Sequence, residues 1–391
     1  MRYNFDKVID RSGTSAEKVE GLKHIWGRTD LIPLWVADMD FATAPFVTDA
    51  IRKRCENEVL GYTGKPDSYY NAIINWVKQR YDLVVAKEMI NFVPSIVPGI
   101  GMAMNCFTQK GDKVMIQPPV YHPFAWVTTR NERTLVTNPL KWENGMYRMD
   151  LDTFREQIKG CKLFILCNPH NPGGVVWTEA ELRAIADICY DEKVLVFSDE
   201  IHADLTLPPH THRPFATVSE KARMNSVTFM SPSKAFNMPG LSASHALIFN
   251  EDLRKRFRIY MDAGELDMGH VFAFLSVEAA YSHGTEWLDQ CLAYIQGNID
   301  FVDEFLKKHA PKIKAIRPEA SYLVWLDCRE LKLSQKDLNE FFVDKAHLAL
   351  NDGEMFGKEG IGFMRLNVAS PRCIIEKAMK QLADAYQLYI K

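Results

Sequence analysis

Along the chain, short uninterrupted apolar runs alternate with longer stretches in which apolar residues recur at helical spacing. The runs "KVMI" (113–116), "LFILC" (163–167), "VLVF" (194–197) and "VTFM" (227–230) read as strands. The clearest helix begins at "TEAELRAIADICYDEK", where Thr178 and Glu181 spell a capping box. Leu182, Ile185, Ala186 and Cys189 then mark one face at i, i+3, i+4 and i+7. Continuous apolar strands alternating with amphipathic helices predict an α/β core, a parallel sheet covered on both faces.

The residues directly after each run carry the chemistry. "KVMIQ" leads into "PPVYHPF", "LFILC" into "NPHNPGG", "VLVFS" into "DEIH" and "VTFM" into "SPSK". In open parallel sheets the ligand lies beyond the carboxyl ends of the strands. Tyr121, Asn171, Asp199, His202 and Lys234 are therefore expected in one crevice, with Glu200 alternating to the other side of its strand end.

Composition narrows the classes of function. At 391 residues the chain suits two domains, and 47% hydrophobic with 25% charged residues is the balance of a globular enzyme. A net charge of -3 offers no basic footprint for nucleic acid. The first residues, "MRYNFDKVIDRSG", are polar, and no window has the run of about 18 apolar residues that a membrane span needs. A cytoplasmic protein without membrane or nucleic-acid partners is expected. Eight cysteines are scattered without a C-x-x-C pair, and no metal-ligand cluster is visible, so no metal is expected.

Several standard sites are missing as well. There is no G-x-x-x-x-G-K-[ST] loop and no H-E-x-x-H, and "GIGMAM" (99–104) lacks the third glycine of a dinucleotide fingerprint. "GLSAS" (240–244) ends in serine where a nucleophile elbow needs glycine. A lysine isolated at a strand end, Lys234, is then best explained as an amine that captures a carbonyl group.

"CNPHNPGGVVW" (167–177), "SDEIHADL" (198–205) and "SPSKAFNMPG" (231–240) resemble the signature blocks of the fold type I pyridoxal-phosphate enzymes, the aspartate aminotransferase superfamily. "LIPLWVADMDFATAP" (31–45), "GYTG" (61–64), "PPVYHPF" (118–124), "SYLVWLD" (321–327) and "GFMRLNVASPR" (362–372) further resemble the MalY/PatB-type carbon–sulfur β-lyases, or cystathionine β-lyases. The resemblance implies a large cofactor-binding domain over 46–284 and a smaller α+β domain built from 1–45 and 285–391. It implies pyridoxal 5'-phosphate as cofactor and α,β-elimination of L-cystathionine, L-cysteine or related S-substituted cysteines to pyruvate, ammonia and a thiol. An aminotransferase sharing the first steps is the alternative.

The same resemblance implies a role for each site residue. Lys234 would bind the cofactor aldehyde and later take the Cα proton, and Asp199 would keep the pyridine nitrogen protonated. Asn171 and His202 are expected at the ring oxygen, with Asn171 also near the substrate. Tyr121 would stack on the ring and handle the leaving group's proton. Arg365 would clamp the substrate carboxylate through its two-pronged donor set. For the phosphate, a glycine turn opening a helix suggests backbone donors at Gly99, Ile100 and Gly101, joined by the hydroxyls of Ser231 and Ser233. Tyr62 of "GYTG" resembles a tyrosine that reaches the partner subunit's phosphate, which implies a homodimer.

Overall fold

The computed structural model describes residues 2–389. Its main sheet has seven strands, in spatial order Ile90–Val93, Ser244–Leu247, Ser226–Met230, Leu195–Asp199, Cys161–Cys167, Lys113–Ile116 and Thr134–Thr137. Ser244–Leu247 runs antiparallel to both neighbours, and the remaining pairings are parallel. All four apolar runs of the sequence are strands of this sheet.

Alternation along a strand explains the two covered faces. In Cys161–Cys167, Phe164 and Leu166 turn to one side and pack with Phe154, Leu182, Ile185 and Cys189. Leu163, Ile165 and Cys167 turn to the other and pack with Ile100, Met104 and Phe124. Each large apolar side chain so buried contributes about 1.5–3 kcal/mol. The helix Glu179–Asp191 on the first face starts at the expected capping box, with Glu181 Oε2 accepting from the Thr178 N–H at 2.8 Å. On the second face lies Ile96–Phe107, whose Gly99 lets it approach the sheet. A Cβ there would sit 2.9 Å from Val93 Cγ2.

A second, antiparallel sheet orders Lys314–Ile316, Leu323–Asp327, Phe363–Asn367 and Asn351–Asp352. The N-terminal segment joins it: Ile32 and Pro33 pair in parallel with Leu348 and Ala349, and Leu34 O accepts from Asn367 N. Beyond this pairing the chain crosses as a strap, residues 35–41, that reaches the carboxyl ends of the main strands. Among the described residues no helix is long and apolar enough to cross a membrane, and no group of three His, Cys, Asp or Glu could hold a metal ion. Five cysteines are buried, and all eight are free thiols.

Candidate active site

Beyond the strand ends a single cleft is lined by Tyr121, Asn171, Asp199, His202 and Lys234, together with Ser95, Cys167, Ser233, Ser244 and the strap residue Ala37. The five residues expected to converge do so, carried by the ends of four strands, with Asp199 and His202 sharing one. Glu200, one position beyond Asp199, is buried behind the cleft. It accepts from Ser198 Oγ and the Phe215 N–H, both at 2.8 Å, and pairs with His212 Nε2 at 2.8 Å.

Lys234 Nζ donates to Ala37 O at 2.5 Å, and that carbonyl also accepts from Tyr322 Oη at 2.9 Å. Burial lowers the lysine's pKa to about 8; Asp38 and Asp199 oppose the shift and Arg365 adds to it. Asp199 moves the other way, raised to about 7 by burial, although the Ile201 N–H at 3.1 Å favours its charged form. His202 is held neutral, its pKa lowered to about 3 by burial. Its Nδ1 is buried without a protein partner, as few buried polar atoms are.

Arg365 lies behind Asn171, 3% exposed. Its Nη1 donates to Asn171 Oδ1 at 3.1 Å, and its Nη2 donates to Trp35 O at 3.0 Å and to Asn351 Oδ1. The Asn171 oxygen is thus occupied, which turns its amide nitrogen out as the donor. Burial pulls the Arg365 guanidinium down to about 10, so it stays charged at neutral pH. Tyr121, beside it, has its hydroxyl pKa raised by burial and remains protonated.

Two expectations for an anion site are corrected. Gly99, Ile100 and Gly101 do not offer free N–H groups, because the helix starts at Ile96 and the Gly99 N–H is already bonded to Ser95 O at 2.9 Å. The first-turn amides without a helical acceptor are those of Ile96 and Val97, and both residues line the cleft. Ser231 is also turned away: its hydroxyl donates to Ala243 O at 2.8 Å and accepts from the Ser233 N–H at 3.1 Å. Ser233, Ser95 and Ser244 hold the cleft positions instead. Tyr62 lies outside the cleft of its own chain and is 99% exposed.

Sequence reasoning missed the groups that hold the strap. Asn367 Nδ2 donates to Val36 O and Asp38 O, each at 2.7 Å. Asn237 Nδ2 donates to Met39 O and Phe41 O, and its Oδ1 accepts from the Met39 N–H. A lone asparagine inside the apolar run "FMRLNVA" was the available signal, since a buried amide in a strand needs specific partners.

This donor set fits pyridoxal 5'-phosphate. It offers a helix N-terminus with three serines for a phosphate, a carboxylate for a ring nitrogen, an amide nitrogen and an unpartnered imidazole atom for a ring oxygen, and an amine for an aldehyde.

Comparison with known proteins agrees with the geometry. The family model for aminotransferase class I and II matches residues 29–382. Cystathionine beta-lyase PatB of Bacillus subtilis is 38% identical, covering 98% of this chain and 99% of its own. The crystal structure of cystalysin from Treponema denticola, which contains a pyridoxal 5'-phosphate cofactor, superposes with a TM-score of 0.96 at 33% identity, with 100% of both chains covered. The pyridoxal-phosphate-bound C-S lyase of Staphylococcus hominis gives 0.91 at 35% identity, covering 99% of this chain and 98% of that one. With its whole length matched and its strand-end residues gathered as described, the chain belongs to the aminotransferase class I and II family, in the branch of the PatB-like cystathionine β-lyases.

Proposed function

We propose that the protein is a pyridoxal-phosphate-dependent carbon–sulfur β-lyase that converts L-cystathionine, L-cysteine or related S-substituted cysteines, with water, to pyruvate, ammonia and a thiol. The observation that carries this reading is the placement of Lys234. It is a part-buried amine with lowered proton affinity, in the same cleft as the Asp199 carboxylate. Bound pyridoxal phosphate supplies an electron sink that makes an amino acid's Cα proton removable and lets a thiolate leave from Cβ.

The chain's own residues supply the rest. Lys234 would hold the cofactor through its aldehyde and, once free, its amine would accept the Cα proton, a base contribution of about 10²- to 10⁴-fold. Asp199, whose charged form is costly when buried alone, is stabilised as a carboxylate by a cationic ring nitrogen and holds the proton there. Asn171 Nδ2 and His202 Nδ1 would hold the cofactor's ring oxygen. Tyr121, kept protonated by burial, would pack against the cofactor and could give its proton to the departing sulfur. Arg365, fixed by Asn171, Trp35 and Asn351, holds the substrate carboxylate and so selects the bond at Cα that is broken. The Ile96 and Val97 amides with Ser95, Ser233 and Ser244 take the phosphate.

The same reading makes the enzyme a cytoplasmic homodimer in which Tyr62 serves the partner subunit's phosphate. It also divides the labour: residues 46–284 hold the cofactor, while 1–45 and 285–391 close over the substrate.

The test is to incubate the purified enzyme and cofactor with L-cystathionine and no 2-oxo acid. Pyruvate, ammonia and free thiol in equal amounts over many turnovers are expected. Turnover that stops after one equivalent and resumes when an oxo acid is added would make the protein an aminotransferase.

A further inference from the structure

The strap that closes the cleft rests on a charge cluster outside it. Lys18, in the helix Glu17–Trp26, is 0% exposed, so its ammonium is cut off from bulk solvent. It donates to Asp38 O at 3.3 Å and to Asp40 Oδ2 at 2.9 Å, and lies 3.5 Å from Asp38 Oδ1. Arg11 completes the cluster, reaching Asp38 at 2.6 Å and Asp40 at 3.2 Å. The main chain of Lys18 is tied in as well, its carbonyl accepting from Trp35 Nε1 at 3.0 Å. Two cations therefore balance two anions that the strap itself carries. One position before Asp38, the Ala37 carbonyl holds Lys234 Nζ.

Burying an ammonium is expensive unless its partners are well placed, and an apolar residue of similar volume often serves stability as well or better. Packing alone thus gives no reason for a lysine at position 18. We propose that Lys18, which does not line the cleft, is a positioning residue for Lys234. It fixes the strap that carries the Ala37 carbonyl, and with Arg11 it offsets the charge of Asp38, whose field reaches the lysine nitrogen, and of the neighbouring Asp40. The inference rests on the reading of Lys234 as the carbonyl-capturing amine.

The charged and titratable groups that share the cleft with Lys234 or act on its nitrogen are Asp38 from the strap, Tyr121 from the turn after strand Lys113–Ile116, Cys167 from the end of strand Cys161–Cys167, Asp199 from the end of strand Leu195–Asp199, His202 from the turn after it, Tyr322 just before strand Leu323–Asp327 and Arg365 from strand Phe363–Asn367. Asp38 and Asp199 favour the protonated nitrogen, and Arg365 and burial disfavour it. Neutralising Lys18 leaves two carboxylates facing one guanidinium. The cluster then becomes net negative, and the Lys234 nitrogen holds its proton to higher pH.

Three variants test this, Lys18→Met, Asp40→Asn and the two combined. Two readouts are used: the pH titration of the visible absorbance of cofactor-loaded enzyme, and the rate at which an amine-reactive reagent labels Lys234 in cofactor-free enzyme, measured by mass spectrometry. Lys18→Met is expected to raise the titration midpoint by about 0.5 in pH, less than a charge in direct contact would, and to slow labelling at pH 8. Asp40→Asn should lower the midpoint, and the double variant, its charge rebalanced, should return toward the parent. A purely structural role would not give opposite shifts that cancel. Unchanged midpoints, or shifts of the same sign in both single variants, overturn the proposal. If Lys18→Met does not fold, Asp40→Asn decides alone, and no downward shift defeats the idea. Should the loaded enzyme show no visible band, the reading of Lys234 fails, and the labelling rates still judge Lys18.

Discussion

Arg365 and Asn171 stand 194 positions apart and meet at 3.1 Å, Nη1 donating to Oδ1. The contact fixes the guanidinium and also decides which end of the asparagine amide faces the cleft. Arg365→Lys keeps a charge but loses the fork. The expected result is a 10- to 100-fold fall in kcat/KM for amino-acid substrates, corresponding to about 1.5–3 kcal/mol for a hydrogen bond to a charged group. The cofactor's visible spectrum should persist. Steady-state kinetics on the purified variant check this, and an unchanged kcat/KM would remove Arg365 from substrate binding.

Lys234→Ala should bind pyridoxal phosphate without a covalent link. Borohydride then fixes no cofactor to the variant, whereas in the parent it marks Lys234, as peptide mass spectrometry will read. Elimination should slow by at least about 10²-fold. Near-normal turnover in this variant would overturn the proposed chemistry.

Asp199 gives the cofactor-free protein a pH signature. Its pKa in the fold is raised to about 7, against 3.8 when unperturbed. The folded state therefore binds the extra proton between those values. The contribution of this group is full below about pH 4 and is lost as pH rises toward 7. Asp199→Asn removes the dependence, so urea midpoints of parent and variant should diverge with rising pH, the variant being the more stable at pH 7. Parallel curves between pH 4 and 7 would contradict the assignment.

Tyr62, 99% exposed in the single chain and flanked by the exposed Val59 and Leu60, is expected to be covered by a second copy. Sedimentation should find two chains per particle, and Tyr62→Ala should weaken cofactor retention on dialysis while leaving the absorption maximum in place. A fully active monomer would exclude a role for Tyr62 across subunits.

The sheet was legible because a strand covered on both faces must be apolar throughout. Leu163 to Cys167 announce it without help from any other part of the chain. The site residues were legible for a related reason: a polar side chain directly after such a run has only the carboxyl edge to occupy. The helix start near 99 was misjudged because Gly99 and Gly101 read as a turn. They serve close packing instead: a Cβ would meet Val93 at Gly99 and Val127 at Gly101. The strap's contribution was hidden for a deeper reason. It works through main-chain carbonyls such as Ala37 O, which every residue possesses and no side-chain pattern reveals.

Pairing between Ile32 and Leu348 imposes an order on biosynthesis, since the two are separated by 348 − 32 = 316 positions. At about 5–20 residues per second, a ribosome delivers the strap some 15–60 s before the strand that receives it. During that interval the main-chain groups of Ile32 and Leu34 lack the strand partners at 347–349 and 367 that they bond in the fold. A ribosome that stops before Arg365 releases a chain that holds the main-sheet strands and Lys234 but lacks Asn367, which ties Val36 and Asp38 of the strap. Truncated products are therefore expected to accumulate as aggregates or chaperone-bound chains to a greater extent than the full-length product.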